Sequence, residues 1–361
     1  MKVVIISRTC FPAKAPRSHR ATELAKEFAR QGYEVALYAY LGDYDYNEIE
    51  TQTGVRFKNL GHAHGGMPTN TSSIGTSLKY RLMRFFGTPI QYPECSMIPQ
   101  VKHAISSEVD IDLLVTIAVP HVIHYAAALA NRIRVKCWVA DCGDPFMGNP
   151  MHKPPFYFEC FERYWCKRCN YITVPVEEAK SAYYKEYRDK IRVIPQGFNF
   201  DDVKLADYVP NEVITFAYSG IFYKDLRDPS RLLEYLCTIE KPFKFICYTK
   251  SVSILQPFKE KLGAKLEVRA YIPREELLFE LSKMDFLVNV PNKSGVQQPS
   301  KLIDYALTKR PILNVSSDFT DSERNTLQAF FKADYSGRMI IHEIERYNIV
   351  NVARQFLELA K

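Results

Sequence analysis

The feature of this sequence that most constrains its fold is a strand, loop and helix pattern that occurs twice. The first copy has an apolar strand at residues 2–7, a loop at residues 8–18 and an amphipathic helix around residues 21–29. The second copy begins with the strand at residues 213–220 and runs through a loop to a helix that starts at residue 230. Alternating strands and helices predict parallel sheets that bind ligands at the carboxyl ends of their strands.

The length of the chain favours two domains, because a single hydrophobic core rarely grows to serve 361 residues. Midway, a short strand runs into a turn that contains Pro195 and Gly197, which is typical of a hinge between domains. We therefore predict an α/β chain with Rossmann-like domains at residues 1–197 and 198–361, whose parallel sheets face each other across a central cleft. The last helix is able to pack back on the N-terminal domain.

Charge and cysteine content narrow the choice of partner and compartment. The net charge of +7 fits an acidic partner, but the chain has no zinc-finger spacing and no Arg/Lys-rich tail, so we predict no nucleic-acid binding. The nine cysteines have no disulfide-framework spacing and are predicted to be reduced thiols. Cys160, Cys166 and Cys169 are predicted to pack in the core, with a metal or redox site as the alternative. No apolar run reaches roughly 18 residues, which predicts a cytoplasmic protein.

The segment from Lys79 to Phe86 mixes basic and large apolar side chains at helical spacing. Two interpretations are open for it. An interfacial helix of this composition would dock on an anionic membrane and make the protein peripheral at the inner face of the cell membrane. Alternatively, the segment is an ordinary helix of the domain with a solvated basic edge.

A candidate anion site follows the apolar strand at residues 286–290. A polar loop leads into a helix whose first turn is predicted to contain Pro299, Ser300 and Lys301. A helix N-terminus offers free backbone N–H groups and a positive dipole end, and the lysine adds a cation, which together suit a diphosphate. Asp304 lies one turn later on the same face and could accept hydrogen bonds from a ribose diol. An ordinary capped helix start is the alternative.

Residues 299–312 resemble the donor-binding helix and the following strand of family-4 GT-B glycosyltransferases, which are retaining enzymes that use nucleotide sugars, and the whole chain resembles the surface-polysaccharide or O-antigen type. In that family an acidic residue at the position of Asp304, usually Glu, holds the nucleotide ribose. A second Glu usually stands eight positions earlier, where this chain has Val296. Gln297 and Gln298 are the candidates to make its contacts with the donor sugar.

Residues 219–229 resemble the first loop of the family's C-terminal domain, where a basic pair grips the donor diphosphate. Such a pair can stabilise the leaving nucleoside diphosphate without a metal ion. A solvated basic loop is the alternative. The donor-binding residues that the resemblance implies are Gly220, Lys224, Arg227, Thr249, Lys250, Tyr271, Ile272, Gln298, Pro299, Ser300, Lys301 and Asp304.

In the N-terminal half, Ala15, Pro16 and Arg17 lie in the loop that in the family closes over the donor. Many members have a Gly-Gly pair there, which lets the backbone approach the phosphates. This chain has Ala15-Pro16 in place of that pair, while Arg17 and Arg20 supply positive charge.

Residues 138–146 resemble a subgroup motif that reads Asp-x-Arg-Asp-Pro-Trp, with Gly143 in place of Arg and Phe146 in place of Trp. Asp141 and Asp144 of this motif, together with His121, are the candidate catalytic residues, because a carboxylate or imidazole can orient or deprotonate an acceptor hydroxyl. A turn-forming Asp and a structural His are the alternatives.

The resemblance implies transfer of a sugar from a nucleotide diphosphate sugar to a saccharide or lipid-linked saccharide in cell-surface polysaccharide synthesis. It also implies retention of configuration, with no essential metal ion and no cofactor beyond the donor. Two alternatives remain. One is a GT-B nucleotide-sugar epimerase, which needs no acceptor surface. The other is a non-catalytic nucleotide-sugar-binding protein, which the departures at Val296 and Gly143 favour.

Overall fold

The computed structural model describes residues 1–62, 93–131, 133–149, 154–224, 227–291 and 300–361. The segment from Lys79 to Phe86 and the four residues from Val296 to Pro299 therefore lie outside the described residues. The chain divides into two compact units. The first comprises Met1–Phe198 with Arg346–Lys361, and the second comprises Asn199–Glu345.

The first unit is built on a seven-stranded sheet of order β3-β2-β1-β4-β5-β6-β7 in which all neighbours are parallel. Its strands are β1 (Lys2–Ile6), β2 (Glu34–Ala39), β3 (Val55–Asn59), β4 (Ile111–Ala118), β5 (Val135–Cys142), β6 (Tyr171–Val174) and β7 (Ile191–Val193). Its described α-helices are α1 (Pro16–Arg30), α2 (Asn47–Thr53), α3 (Met97–Ser107), α4 (Val122–Leu129), α5 (Phe158–Arg168) and, at the end of the chain, α11 (Ile349–Leu359).

Both faces of this sheet are buried, which explains why β4 is apolar along nearly its whole length. Successive side chains of a strand point to opposite faces, so Leu114 packs with α3 to α5 while Leu113 packs with α1. Phe356 of α11 is fully buried in the same cluster as Phe28 of α1. The C-terminal helix is therefore part of the hydrophobic core of the first unit.

The second unit is built on a five-stranded parallel sheet of order β10-β9-β8-β11-β12. Its strands are β8 (Thr215–Ser219), β9 (Lys244–Tyr248), β10 (Leu266–Arg269), β11 (Phe286–Asn289) and β12 (Ile312–Asn314). Its described α-helices are α6 (Ser230–Cys237), α7 (Val252–Leu262), α8 (Arg274–Ser282), α9 (Ser300–Leu307) and α10 (Asp321–Phe330). The prediction of two Rossmann-like α/β units with parallel sheets is confirmed.

None of the described helices combines the length and the apolar content needed to cross a membrane. In the second unit Phe216 lies between Phe245 and Phe286 of the neighbouring strands, with ring centroids 4.7 and 4.6 Å apart. All three rings are fully buried, so this cross-strand stack stabilises the pairing of β8 with β9 and β11.

A single buried carboxylate connects the segment before β8 to the start of β11. Asp285 is 2% exposed and accepts hydrogen bonds from the Tyr208 hydroxyl at 2.7 Å and the Thr215 N–H at 2.7 Å. It also accepts from the backbone N–H and the side-chain amide of Asn211 at 3.2 and 3.1 Å. Without the carboxylate, the Tyr208 hydroxyl and the backbone N–H groups of Asn211 and Thr215 would lose this acceptor, while the Asn211 amide would keep its bond to the Lys283 carbonyl at 3.0 Å.

Replacing Asp285 by alanine should therefore lower the free energy of unfolding of the second unit by about 2 to 3 kcal/mol, because several partly buried donors lose a charged acceptor. Asp318 is an exposed carboxylate of the same unit, and Asp318→Ala serves as the matched control that should leave stability unchanged. Equilibrium unfolding in urea measures both variants. Equal stability of the two would contradict the role given to Asp285.

Candidate functional site

The loops at the carboxyl edge of the second sheet are tied together by backbone contacts. After β8 ends at Ser219, Gly220 adopts φ +141°, a conformation that glycine tolerates, and its N–H donates to the Tyr248 carbonyl at 3.0 Å. The Ser251 hydroxyl then bonds to both the N–H and the carbonyl of Phe222, each at 3.0 Å. The loops after β8 and β9 thus form one connected surface.

Helix α9 is anchored to the same edge by Tyr305, which no sequence motif identified. Its fully buried hydroxyl accepts a hydrogen bond from the Ser219 N–H at 2.7 Å. This contact fixes the first turns of α9 beside the end of β8. The available signal was a tyrosine on the apolar face of the helix, one residue after Asp304.

A lysine and an arginine, Lys301 and Arg227, lie near the start of α9. The Lys301 ammonium lies 4.5 Å from the centroid of the Tyr218 ring and donates to the Val290 carbonyl at 3.4 Å. Burial, and then the nearby positive charge of Arg227, lower the pKa of Lys301 to about 6. Arg227 is half-buried, and its guanidinium also donates to the Ile221 carbonyl at 3.3 Å. Burial and the charge of Arg227 thus disfavour the charged form of Lys301, and a bound anion would favour that form, so the two side chains suit an anionic ligand.

The other donor-binding candidates that the structure describes follow the neighbouring strands of this sheet. Lys224 is exposed in the turn that leads to Arg227, and Thr249 is buried at the end of β9. The Lys250 ammonium lies 5.6 Å from the centroid of the Tyr271 ring, which is 53% exposed just after β10. Ile272 packs partly against the core. This edge therefore presents an exposed aromatic ring with a cation beside it.

Asp304 is paired with Arg274, a residue that the sequence analysis did not identify. One carboxylate oxygen accepts a hydrogen bond from Nε of the guanidinium at 2.8 Å and lies 2.7 Å from Nη2 as an ion pair, and the Asp304 and Arg274 side chains are 18% and 32% exposed. A ligand hydroxyl at Asp304 would thus meet an ion pair instead of a lone carboxylate. Ser300 begins α9, with its side chain outside the description, and Gln298 and Pro299 also lie outside the described residues.

In the first unit, Asp141 at the end of β5 is 1% exposed and fully engaged. Its oxygens accept from Arg20 at 3.1 and 2.7 Å and from the Thr173 hydroxyl at 2.7 Å. Arg20 also donates to the Pro195 carbonyl. Burial favours a higher pKa for Asp141, but the charge and hydrogen bonds of Arg20 outweigh burial and lower the pKa. This geometry favours an anchoring role for Asp141 over that of a base open to a substrate.

Arg17 lies against the backbone of Gly143. A Cβ atom at position 143 would be 2.5 Å from the Arg17 guanidinium carbon, so a larger residue there would require the Arg17 side chain to move. The guanidinium is 3.7 Å from Asp141, and the side chain is 24% exposed. Burial lowers the pKa of Arg17, while the charge of Asp141 opposes that shift. Arg17 therefore occupies the space in which a side chain at position 143 would begin.

The remaining N-terminal candidates lie around the same loops. Ala15 is extended and precedes α1, and Pro16 is the first residue of that helix. Asp144 is exposed on the loop after β5. His121 is 7% exposed, and its ring stacks on Phe146 with centroids 4.8 Å apart. The structure thus places His121 in an aromatic cluster. Of the three catalytic candidates, Asp144 is the one with an exposed side chain.

Among the described residues, His121, His124 and Cys142 form one group able to hold a metal ion, with potential ligand atoms within 4.8 Å of one another. His124 Nδ1 lies 2.8 Å from the Thr116 hydroxyl, and its Nε2 lies 3.4 Å from the Cys142 sulfur. Burial lowers the pKa of His124 well below its ordinary value and raises the pKa of Cys142 well above its ordinary value. A neutral imidazole and a neutral thiol in contact are stable in this core as they stand.

Comparison with known proteins identifies the fold. No protein-family model matches the chain, and no curated protein is similar to it in sequence. Among solved structures, the Anabaena protein HepE in complex with UDP-glucose is 10% identical with a TM-score of 0.61, covering 99% of this chain and 98% of HepE. The chain has a GT-B fold.

Two further glycosyltransferase structures match over the whole chain. One, from Rickettsia africae, is 13% identical with a TM-score of 0.63, covering 100% of this chain and 97% of its own. The other is WaaB, a lipopolysaccharide outer core galactosyltransferase in its apo form, which is 10% identical with a TM-score of 0.59 and covers 99% of both chains. At these identities the similarity establishes the architecture.

The anchoring role of Asp141 can be separated from catalysis by two matched substitutions. Asp141→Asn should lower the free energy of unfolding by about 3 to 5 kcal/mol, because it leaves the buried Arg20 guanidinium without its anion. Asp144→Asn removes an exposed carboxylate from the same loop and should leave stability unchanged. Unfolding in urea measures both, and a fully stable Asp141→Asn variant would exclude the anchoring role.

Proposed function

We propose that this chain is a glycosyltransferase that moves a sugar from a nucleotide diphosphate sugar to a saccharide or lipid-linked saccharide acceptor. The observation that carries this proposal is the position of Lys301 in the first turn of α9, at the carboxyl edge of the second sheet, where its ammonium donates to the Val290 carbonyl at 3.4 Å. Rossmann-like sheets bind phosphate groups at this edge, where a helix N-terminus adds its positive dipole end. The Arg227 guanidinium, which donates to the Ile221 carbonyl of the loop after β8, adds a second basic group that suits a diphosphate.

In the proposed reaction the nucleoside diphosphate departs with increasing negative charge as the bond to the sugar breaks. Lys301 and Arg227 are already positioned, so they stabilise this charge without reorganising. Their partly desolvated position strengthens the interaction relative to water. We therefore propose transfer without an essential metal ion or other cofactor, and with retention of configuration, as the resemblance to family-4 enzymes implies.

The nucleoside is proposed to bind along the neighbouring loops. Asp304 and Arg274 offer an acceptor and a donor to the ribose hydroxyls, while Tyr271 and Lys250 lie on the side proposed for the base. The acceptor is proposed to bind the first unit, where the exposed Asp144 is the carboxylate best placed to orient a hydroxyl.

The neighbours support the choice of donor and pathway. HepE is seen in complex with UDP-glucose, and WaaB is a galactosyltransferase of the lipopolysaccharide outer core. By analogy we propose a hexosyl donor and a role in cell-surface polysaccharide synthesis, in the cytoplasm at the inner face of the cell membrane.

A calorimetric panel of UDP-, GDP-, ADP- and dTDP-sugars tests the donor site. One of them should bind, and Lys301→Gln and Arg227→Gln should each weaken it about tenfold or more, because each removes a charge-assisted contact. Arg231→Gln, at an exposed arginine of α6, is the matched control and should keep full affinity. Failure of all four donors to bind, or full affinity in the Lys301→Gln variant, would contradict the proposal.

Binding of the diphosphate should also take up a proton. With a pKa of about 6, Lys301 is mostly neutral in the free protein near pH 8, and a bound anion favours its charged form and raises its pKa. Uptake should approach about one proton near pH 8 and decrease as the pH falls below about 6. Calorimetry in HEPES and Tris buffers, whose ionisation enthalpies differ, measures this number. The Lys301→Gln variant should show no uptake, and wild-type protein without uptake would exclude the proposed contact.

A further inference from the structure

The first unit contains an aromatic cavity of about 300 Å³ beside the carboxyl ends of β4 and β5. Its lining includes His121, Tyr125, Phe146, Phe158, Phe161 and Trp165. The rings support one another, with centroids 5.8 Å apart for Phe146 and Phe158 and 4.9 Å apart for Tyr125 and Phe161. This edge of a parallel sheet is where substrates bind, which makes a substrate the natural occupant.

The carboxylate in the cavity wall is already satisfied by the protein. Glu162 is 1% exposed and accepts a hydrogen bond from the Tyr184 hydroxyl at 2.9 Å. The backbone N–H groups of Phe146 and Met147 also donate to it, and burial raises its pKa. Glu162 thus holds the loop that forms the wall, and the surface offered to a ligand is mainly aromatic. Such a surface favours a hydrocarbon chain.

A cation from the first turn of α1 packs against the loop that follows β5. Arg17 lies against Gly143, three residues before Phe146 of the cavity wall. Among the described residues, the nearest charge partner of its guanidinium is Asp141 at 3.7 Å, beyond hydrogen-bonding distance, and the exposed Asp144 acts on it only through its charge. Asp141 is mainly engaged by Arg20. The Arg17 donors are therefore available to an anionic group.

We propose that this cavity binds the hydrocarbon chain of a lipid phosphate acceptor and that Arg17 binds its phosphate. The proposal rests on the proposed function, since it names the acceptor class of the first unit. An apolar chain with an anionic head complements an aromatic cavity and a guanidinium that packs against the loop of its wall.

Calorimetry with monomeric farnesyl phosphate and with farnesol separates the two halves of the proposed contact. Wild-type protein should bind farnesyl phosphate more tightly than farnesol. Phe161→Ala, which removes a ring from the cavity wall, should weaken both ligands about tenfold. Arg17→Gln should weaken farnesyl phosphate alone and remove the difference between the two ligands. Phe156→Ala is the control, because Phe156 is 84% exposed and does not line the cavity.

Fluorescence supplies a direct readout of occupancy. The chain has two tryptophans, of which Trp165 lines the cavity and Trp138 is buried in β5. Farnesol should change the emission of wild-type protein but not of Trp165→Phe. Unchanged binding in Phe161→Ala would overturn the cavity assignment, and an unchanged phosphate preference in Arg17→Gln would overturn the head-group assignment.

The calorimetric panel of nucleotide sugars is repeated on wild-type protein and on each of these variants, so that donor binding and farnesyl phosphate binding are measured separately. Nucleotide binding without any farnesyl phosphate binding would overturn this inference alone. Farnesyl phosphate binding without any nucleotide binding would overturn the proposed function and leave the cavity assignment standing.

Discussion

Parallel strand pairing governs this molecule. Parallel neighbours require a crossover that returns over a face of the sheet, so both faces become covered and the loops after the strands collect at one edge. In the second unit this edge brings together Gly220, Thr249 and Lys301, from three separate stretches of chain. In the first unit it brings together Arg17, Asp141 and the aromatic cavity. Each candidate site follows from the topology before any specific chemistry is considered.

Buried charge is handled differently in the two units. In the first unit, Asp141 and Arg20 are almost completely buried and form an ion pair with each other. Breaking that pair would lower the stability of the protein, and the paired groups offer few free hydrogen-bonding sites to a ligand. In the second unit, burial and then the positive charge of Arg227 lower the pKa of Lys301. An anion would favour the charged form of this lysine, so the second arrangement is suited to binding while the first is suited to anchoring.

The sequence predicted the two sheets because strand and helix periodicities are local and recur in the same order. It also predicted that Lys301 would begin a helix at the carboxyl edge. It did not predict the contact between Tyr305 and Ser219 or the pair of Arg274 with Asp304, which join residues 86 and 30 positions apart. Such contacts depend on which loops meet in space, and the strand order that decides this is absent from local patterns.

Arg17 and Gly143 show that a side chain from elsewhere in the chain can occupy the space of a missing motif residue. The resemblance placed an arginine at the third position of a motif where this chain has Gly143, and the substitution suggested a lost cation. In the structure the missing side chain leaves room for the guanidinium of Arg17, which arrives from the start of α1. A cation is therefore present beside Asp141, although it comes from Arg17, which lies 126 positions before Gly143 in the chain. The departure from the motif changes which residue supplies the charge while keeping a charge in that space.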